Sequence, residues 1–277
     1  MSVLWPLLPK RRGFRTEIPM NMGVNIQNPY SLTVAHDADD TIYVSKNSNR
    51  TIYKMKGNSN VISSSMSWPA EFQDRWARLS NLRWYNGRLT AVFGRGNSDY
   101  SSYWIEWNGW GNPDDYHKRL KLPAIGLWDD IRWAGVDTTR NWIVGVDTTY
   151  RYGYQDCFCR YDYDTGAKVG TGWGGKLSPL GYGHYNQGWI DGAVDLAYVW
   201  YGTTLRWYDY TTTTARDTWV GASGTITFTK WAGGLGTTLD KNGDLWLMQW
   251  LNNGGVYDEW AARFEGISNT LYPRIIT

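Results

Sequence analysis

Four tryptophans recur in similar phrases: Trp76 in DRWARL, Trp133 in IRWAGV, Trp189 in QGWIDG and Trp231 in TKWAGG. An indole presents a flat apolar face with a negative quadrupole, the surface on which a sugar ring stacks. Asp191, Asn186, Gln187 and Arg132 lie beside these tryptophans and could bond sugar hydroxyls. One such contact is worth about 1 kcal/mol, so useful binding would need several acting together. The competing use is structural. Large rings wedge between adjacent twisted sheets, and recurrence at equivalent sites is what that packing also produces.

A second aromatic concentration is TTYRYGYQD, with Tyr150, Tyr152 and Tyr154 on one long connection, followed by GYGHYNQGW from Gly181 to Trp189. Connections longer than a hairpin needs often carry recognition, and tyrosine-rich loops suit adaptable contact surfaces. Covalent chemistry has less support. Glycoside hydrolysis needs two carboxylates flanking the scissile bond, yet no Glu occurs between Glu106 and Glu259, so an Asp such as Asp137, Asp191 or Asp195 would have to serve. No nucleophile elbow and no phosphate-cradling glycine loop appears. No catalytic residue is assigned, and the expectation is a protein that is not an enzyme.

Acidic turns invite a calcium reading at DADD (Asp37–Asp40), YDYDTG (Tyr161–Gly166) and DKNGD (Asp240–Asp244). The last lacks the distal Glu that completes a calcium loop, and Asp, Asn and Gly are what a tight turn requires in any case. Cys157 and Cys159 are two apart in one extended run, a poor geometry for a disulfide. His36, His117 and His184 are scattered. The expectation is two free thiols, no metal and no cofactor.

Twenty-eight basic and 26 acidic residues leave a formal charge of +2, which argues against a nucleic-acid surface. The N-terminal MSVLWPLLPKRRGFR places its basic residues after the apolar run, and Pro6 and Pro9 interrupt that run, unlike a secretory signal. No apolar stretch reaches the length of a membrane-spanning helix. Residues 1–20 read instead as a docking arm, with Trp5, Leu7 and Leu8 as anchors and Arg11 and Arg12 at a charged hinge.

The elements that must position these residues are strands. Nineteen Trp, 20 Tyr and 31 Gly beside only five Glu give an all-β composition. In the first repeat, Leu32–Ala35, Thr41–Ser45 and Arg50–Lys56 alternate in polarity and are separated by polar turns. The pattern recurs four times, and aligning the second strands puts Tyr43, Thr90, Ile143, Tyr198 and Trp246 in register at intervals of 47 to 55 residues. Repeats of that length built of four short strands mark a β-propeller. The expectation is five blades over residues 21–277, with ARDTWVG as the outer strand of the fourth and the four recurrent tryptophans on or near the links from one blade to the next. The outer strand of the last blade comes either from near Thr270–Ile276 or from Phe14–Met20 acting as a latch.

The phrase VAHDADDTIYVSKNSNRTIYKM resembles an NHL-type blade, as does TTLDKNGDLWLMQW in the fifth repeat. NPYSLTVAHDADD resembles the opening of the five-bladed hydrolases that cleave arabinan and xylan, which implies a glycosidase as one alternative. The composition, rich in Trp, Tyr, Gly, Thr and Asn, resembles that of phage tail and virion-associated proteins. It implies a structural module of a virion that binds a host glycan or a neighbouring subunit, with the arm meeting other assembly subunits. The other alternative is a soluble lectin-like propeller.

Overall fold

A computed structural model describes residues 14–19, 32–37, 39, 41–46, 49–56, 62–74, 77–95, 101–123, 130–149, 155–177, 187–191, 196–201, 204–211, 219–220, 224–227, 234–239, 245–253 and 256–264. Among them there is no α-helix, only one turn of 3-10 helix at Ala70–Phe72. The strands form several small sheets of the size of propeller blades.

The first sheet is β2 (Leu32–His36), β3 (Thr41–Lys46), β4 (Thr51–Lys56) and β5 (Ile62–Ser67) in that spatial order. The second is β6 (Ala77–Tyr85), β7 (Arg88–Arg95), β8 (Ser102–Trp107) and β9 (Tyr116–Leu122). The third is β10 (Asp130–Asp137), β11 (Trp142–Thr149), β12 (Gln155–Asp162) and β13 (Lys168–Leu177), with β17 (Trp219–Val220) added at its edge. The fourth is β14 (Gln187–Asp191), β15 (Leu196–Tyr201), β16 (Thr204–Asp209) and β18 (Gly224–Thr227). The fifth is β19 (Gly234–Leu239), β20 (Leu245–Asn253), β21 (Val256–Phe264) and β1 (Phe14–Pro19). Apart from the β13–β17 pair, every strand pairing is antiparallel.

The sequence supplies the turns these hairpins require. Tyr85 pairs with Arg88 across Asn86 and Gly87, both at positive φ (48° and 75°), the two-residue turn for which Asn-Gly is suited. Gly166, at φ 72°, turns the chain between β12 and β13; a Cβ there would stand 2.7 Å from the Lys121 carbonyl oxygen of β9. Only glycine lets these two sheets approach so closely.

Period-two alternation buries both faces of the inner sheets. On β7, Ala91 and Phe93 pack toward the first sheet with Ala35, Tyr43, Ile52 and Phe72, while Val92 packs toward the third with Ile131, Ala134 and Ile143. On β12, Cys159 and Tyr161 face the second sheet and Phe158 faces Ala197 and Tyr208 of the fourth. Cys157 and Cys159 are buried and form no disulfide. First strands adjoin in sequence: β2 lies against β6, β6 against β10, β10 against β14, β14 against β19, and β19 against β2.

One placement differs from the sequence reading, and another is the N-terminal latch that it offered. The ARDTWVG phrase is not the outer strand of the fourth repeat: β18 pairs with β16, and Trp219–Val220 runs parallel to β13 of the preceding sheet. Phe14–Pro19, grouped with the arm in the sequence division, pairs with β21 from Phe14↔Phe264 to Pro19↔Trp260. Residues 1–13 and 265–277, including the strand expected near Thr270–Ile276, lie outside the described residues. On the reading of residues 1–13 as a docking arm, their removal is expected to leave the melting temperature nearly unchanged. Removing residues 1–19 exposes the β21 edge and lowers the melting temperature by at least about 5 °C, since about 1 kcal/mol moves a chain of this size by about 2–4 °C. Thermal denaturation of both truncations checks this.

Candidate functional site

The first turn organises the wall of a pocket. Asp37, just beyond β2, accepts hydrogen bonds at Oδ1 from the backbone N–H groups of Asp39 (2.8 Å) and Thr41 (2.9 Å), which folds the DADD turn. Its Oδ2 accepts from the Tyr43 hydroxyl at 3.0 Å. Burial, then the Asp37 carboxylate, raises the Tyr43 phenol, so it stays protonated as a donor. The ring of Tyr43 becomes a fixed floor. Trp84, near the end of β6, stacks on it at 5.7 Å with the planes 7° apart, and Trp110 tilts against it at 5.3 Å and 52°.

The loop between β8 and β9 delivers Trp110. Asn108 donates its backbone N–H to the Asp115 carbonyl (3.1 Å) and Nδ2 to Asp115 Oδ1 (2.7 Å), closing the loop at its base. Trp107 Nε1 donates to the Pro113 carbonyl at 2.8 Å, and Trp110 Nε1 crosses to Ser64 Oγ of β5 at 3.0 Å. The result is a cavity of about 120 Å³ between the first two sheets, lined by Tyr43, Trp84, Arg88, Leu89, Trp107 and Trp110 with Gly87, Asn108 and Gly109 at its rim. Lys54 stands beside it, Nζ 5.9 Å from the Tyr43 ring and 5.8 Å from that of Trp110. This is smaller than the roughly 300–1,000 Å³ of an enclosing small-molecule pocket. Such a cleft takes one ring, held by stacking and edge hydrogen bonds.

The corresponding positions at the next two sheet junctions are occupied. Tyr163, from the turn after β12, reaches back to the second sheet and donates to Glu106 Oε1 at 2.5 Å; Trp104 Nε1 donates to the same oxygen at 2.8 Å. Burial and Glu106 raise the phenols of Tyr163 and Tyr85, which meet edge to face at 5.6 Å. Lys118 Nζ lies 3.5 Å from the Tyr163 ring centre and donates to its carbonyl at 3.0 Å. Register places Arg83, Thr90, Glu106 and Lys118 in one row across β6 to β9. Tyr210, just beyond β16, reaches back to Asp137 Oδ2 at 2.8 Å.

Asp137, available in the sequence as an acid, is fully enclosed. It accepts from the backbone N–H groups of Thr139 and Arg140 (2.9 and 3.0 Å), from Arg140 Nη1 (2.8 Å) and from Tyr210. Its oxygens are committed to a turn and an inter-sheet contact. Asp162 likewise serves a turn, accepting from Asp164 and Thr165. Among the described residues no group of acids, histidines or cysteines is placed to hold a metal ion.

Two of the tryptophans singled out by sequence, Trp133 and Trp189, fall in the first strands of their sheets. Trp133 lies within β10, paired with Val146, and Trp189 lies within β14, paired with Tyr198, so neither is on a connection. Asp191 ends β14 opposite Leu196. The side chains of these three, together with Trp76, Trp231, Tyr150, Tyr152, Tyr154, Trp5, Leu7, Leu8, Arg11 and Arg12, lie outside the described residues. Sequence reasoning missed Tyr43, Trp84, Trp107 and Trp110. A signal was present in the third-strand ends, where Trp107-Asn108 with Trp110, Tyr161-Asp162-Tyr163 and Tyr208-Asp209-Tyr210 repeat an aromatic–polar–aromatic phrase.

Among solved structures, the chain is similar to the PQQ-bound form of aldose sugar dehydrogenase from Streptomyces coelicolor, with a TM-score of 0.54 and 9% identity over 93% of this chain and 99% of that one. It is also similar to a chain of a nidogen/laminin complex, with a TM-score of 0.50 and 12% identity over 79% of this chain and 72% of that one. Both neighbours are β-propeller-like, and at these identities the likeness is one of fold alone. No family model and no curated protein sequence matches.

The Asp137 network yields a pH test. Burial pulls this carboxyl upward, but hydrogen bonds from Arg140 and Tyr210 and the Arg140 charge outweigh it and hold the group below the ordinary carboxylate range. A depressed folded-state pKa contributes stability that is complete above the unfolded value and is lost as pH falls through the folded one. Asp137→Asn is expected to cost about 2–3 kcal/mol at pH 7, with the gap to wild type closing below about pH 3.8. Denaturant unfolding across pH 2.5–7, the range chosen to bracket that ordinary value, measures it.

Proposed function

We propose that this chain is a non-enzymatic recognition module, a β-propeller of five blades closed by its N-terminal strand, which binds a glycan in the tryptophan pocket between the first two blades. The observation that carries the reading is the geometry of that pocket. Trp84 and Trp110 are half-buried beside a Tyr43 floor that is itself fixed by Asp37. Rigid aromatic faces next to Arg88 and Asn108 suit a sugar ring, whose faces are apolar and whose edges are hydroxyls. The adjoining of β19 with β2, and the pairing of β1 with β21, support the closed five-blade ring.

The assembly side of the proposal rests on the sequence. A virion subunit, at a phage tail or surface, docks through residues 1–13 by Trp5, Leu7, Leu8, Arg11 and Arg12 and presents the propeller to a host glycan or neighbouring subunit. A soluble lectin-like propeller would use the same pocket without the particle. Against the glycosidase alternative stands Asp137, whose oxygens are committed to structural hydrogen bonds.

Glycan-array binding tests the site. Trp84→Ala and Trp110→Ala each remove a stacking face worth about 1 kcal/mol, so each is expected to weaken binding about fivefold. Gly109→Leu adds bulk to a residue that lines the pocket, where a Cβ meets nothing within 4 Å, and is expected to weaken binding while preserving the fold. Binding unaffected by all three but lost in Trp133→Ala and Trp231→Ala would move the site to the sequence-predicted platform. An array with no binding at all would sink the glycan reading.

A further inference from the structure

The pocket's rim is charged, and the charges select among aromatic-binding ligands. Arg88 lines the cavity and Lys54 stands over two of its rings. Two of the nearby acids are engaged, Asp37 with its turn and with Tyr43 and Asp115 Oδ1 with the Asn108 amide, while Asp39, which also acts on Tyr43, is exposed to solvent that screens it. Three tryptophans and a tyrosine would otherwise make a cage for a quaternary ammonium group. Two cationic side chains against those rings repel such a guest and leave the cleft complementary to an anion. Among the described contacts, Arg88 makes one long hydrogen bond, Nη1 to the Asn86 carbonyl at 3.4 Å. That contact holds the guanidinium at the wall beside the Asn86-Gly87 turn. A guanidinium has five N–H donors in a planar fork that matches a carboxylate two at a time.

Asn108 completes the polar set. Donation of its Nδ2 to Asp115 turns the amide oxygen into an acceptor at the rim. A ring bearing a carboxylate on one edge and hydroxyls on another would stack against Trp84 and Trp110, present the carboxylate to Arg88 with Lys54 in support, and donate a hydroxyl to Asn108. Apolar faces, one anionic edge and one neutral polar edge are the features of an acidic sugar.

We infer that the pocket between the first two sheets takes a carboxylate-bearing sugar residue, a uronic or sialic-type acid, with Arg88 as its specificity-determining group. This rests on the glycan reading of the same pocket. Arg88 orients and selects the ligand, while the tryptophans supply the stacking any sugar would use.

The test is titration of the full chain with trigalacturonic acid and 3′-sialyllactose, each beside its methyl ester, which keeps shape and hydroxyls but removes the charge. At least one acid is expected to bind about tenfold more tightly than its ester, the size of effect a charge-assisted contact supplies. Arg88→Gln should bring that acid down to the affinity of the ester while leaving the ester unchanged, a result that loss of folding cannot imitate. Added salt should weaken the acid and not the ester. Equal affinity of acid and ester, both weakened in Gly109→Leu, would overturn the acidic-sugar inference and leave the glycan pocket standing. Binding of neither form of either sugar would overturn both.

Discussion

Where two twisted sheets meet face to face, the gap between them widens toward the rim, and something rigid must fill it. At three described junctions the filler comes from the turn after the third strand of the following sheet. Trp110 reaches back to Tyr43 and Ser64, Tyr163 to Glu106, and Tyr210 to Asp137. Each brings a ring for the apolar gap and, at its tip, one hydrogen-bond donor. The donor matters because at two of these junctions it ends on a buried carboxylate, Glu106 or Asp137. Taking a carboxylate out of water costs several kcal/mol, and each hydrogen bond to a charged group returns about 1.5–3 kcal/mol. With Trp104 and Tyr163 on Glu106, and Arg140, Tyr210 and two backbone N–H groups on Asp137, the cost is offset.

The candidate site is the junction at which this device is not filled to the surface. At the second and third junctions the reaching tyrosine ends on an acid. At the first, Asp37 is already used by its own sheet's turn and by Tyr43, so Trp110 has no acid to cap and is held instead by Ser64. The loop that carries it runs from Asn108 to Asp115, longer than the turn that carries Tyr163 between β12 and β13, and Gly109 leaves its wall bare. A cavity rimmed by indoles is what remains. The packing device of the fold and the recognition surface proposed for it are thus two outcomes of one local rule.

Much of the scaffold was legible in the sequence because strand pairing is local. Tyr43, Thr90, Ile143, Tyr198 and Trp246, aligned by spacing alone, all fall in the second strand of their sheets. Asp37 and Asp162 took the turn role their neighbours suggested. What failed was whatever depends on one sheet meeting another. Trp219–Val220 looked like the outer strand of its own repeat and instead pairs with the previous sheet. Trp133 and Trp189 looked like link residues and are strand residues. The pocket was the least legible element, since Tyr43 and Trp84 belong to different repeats and meet only because β2 and β6 adjoin. Repetition drew attention to residues at equivalent positions, whereas the open cleft lies where one junction departs from the others.

The most direct test of the central claim is the tryptophan indole N–H NMR spectrum, assigned with single Trp→Phe variants, recorded as an acidic oligosaccharide is titrated in. The account predicts that the signals of Trp84 and Trp110 shift in proportion to occupancy while those of Trp76, Trp133, Trp189 and Trp231 stay in place. Shifts confined to the latter four, or a spectrum unmoved at saturating sugar, would contradict it.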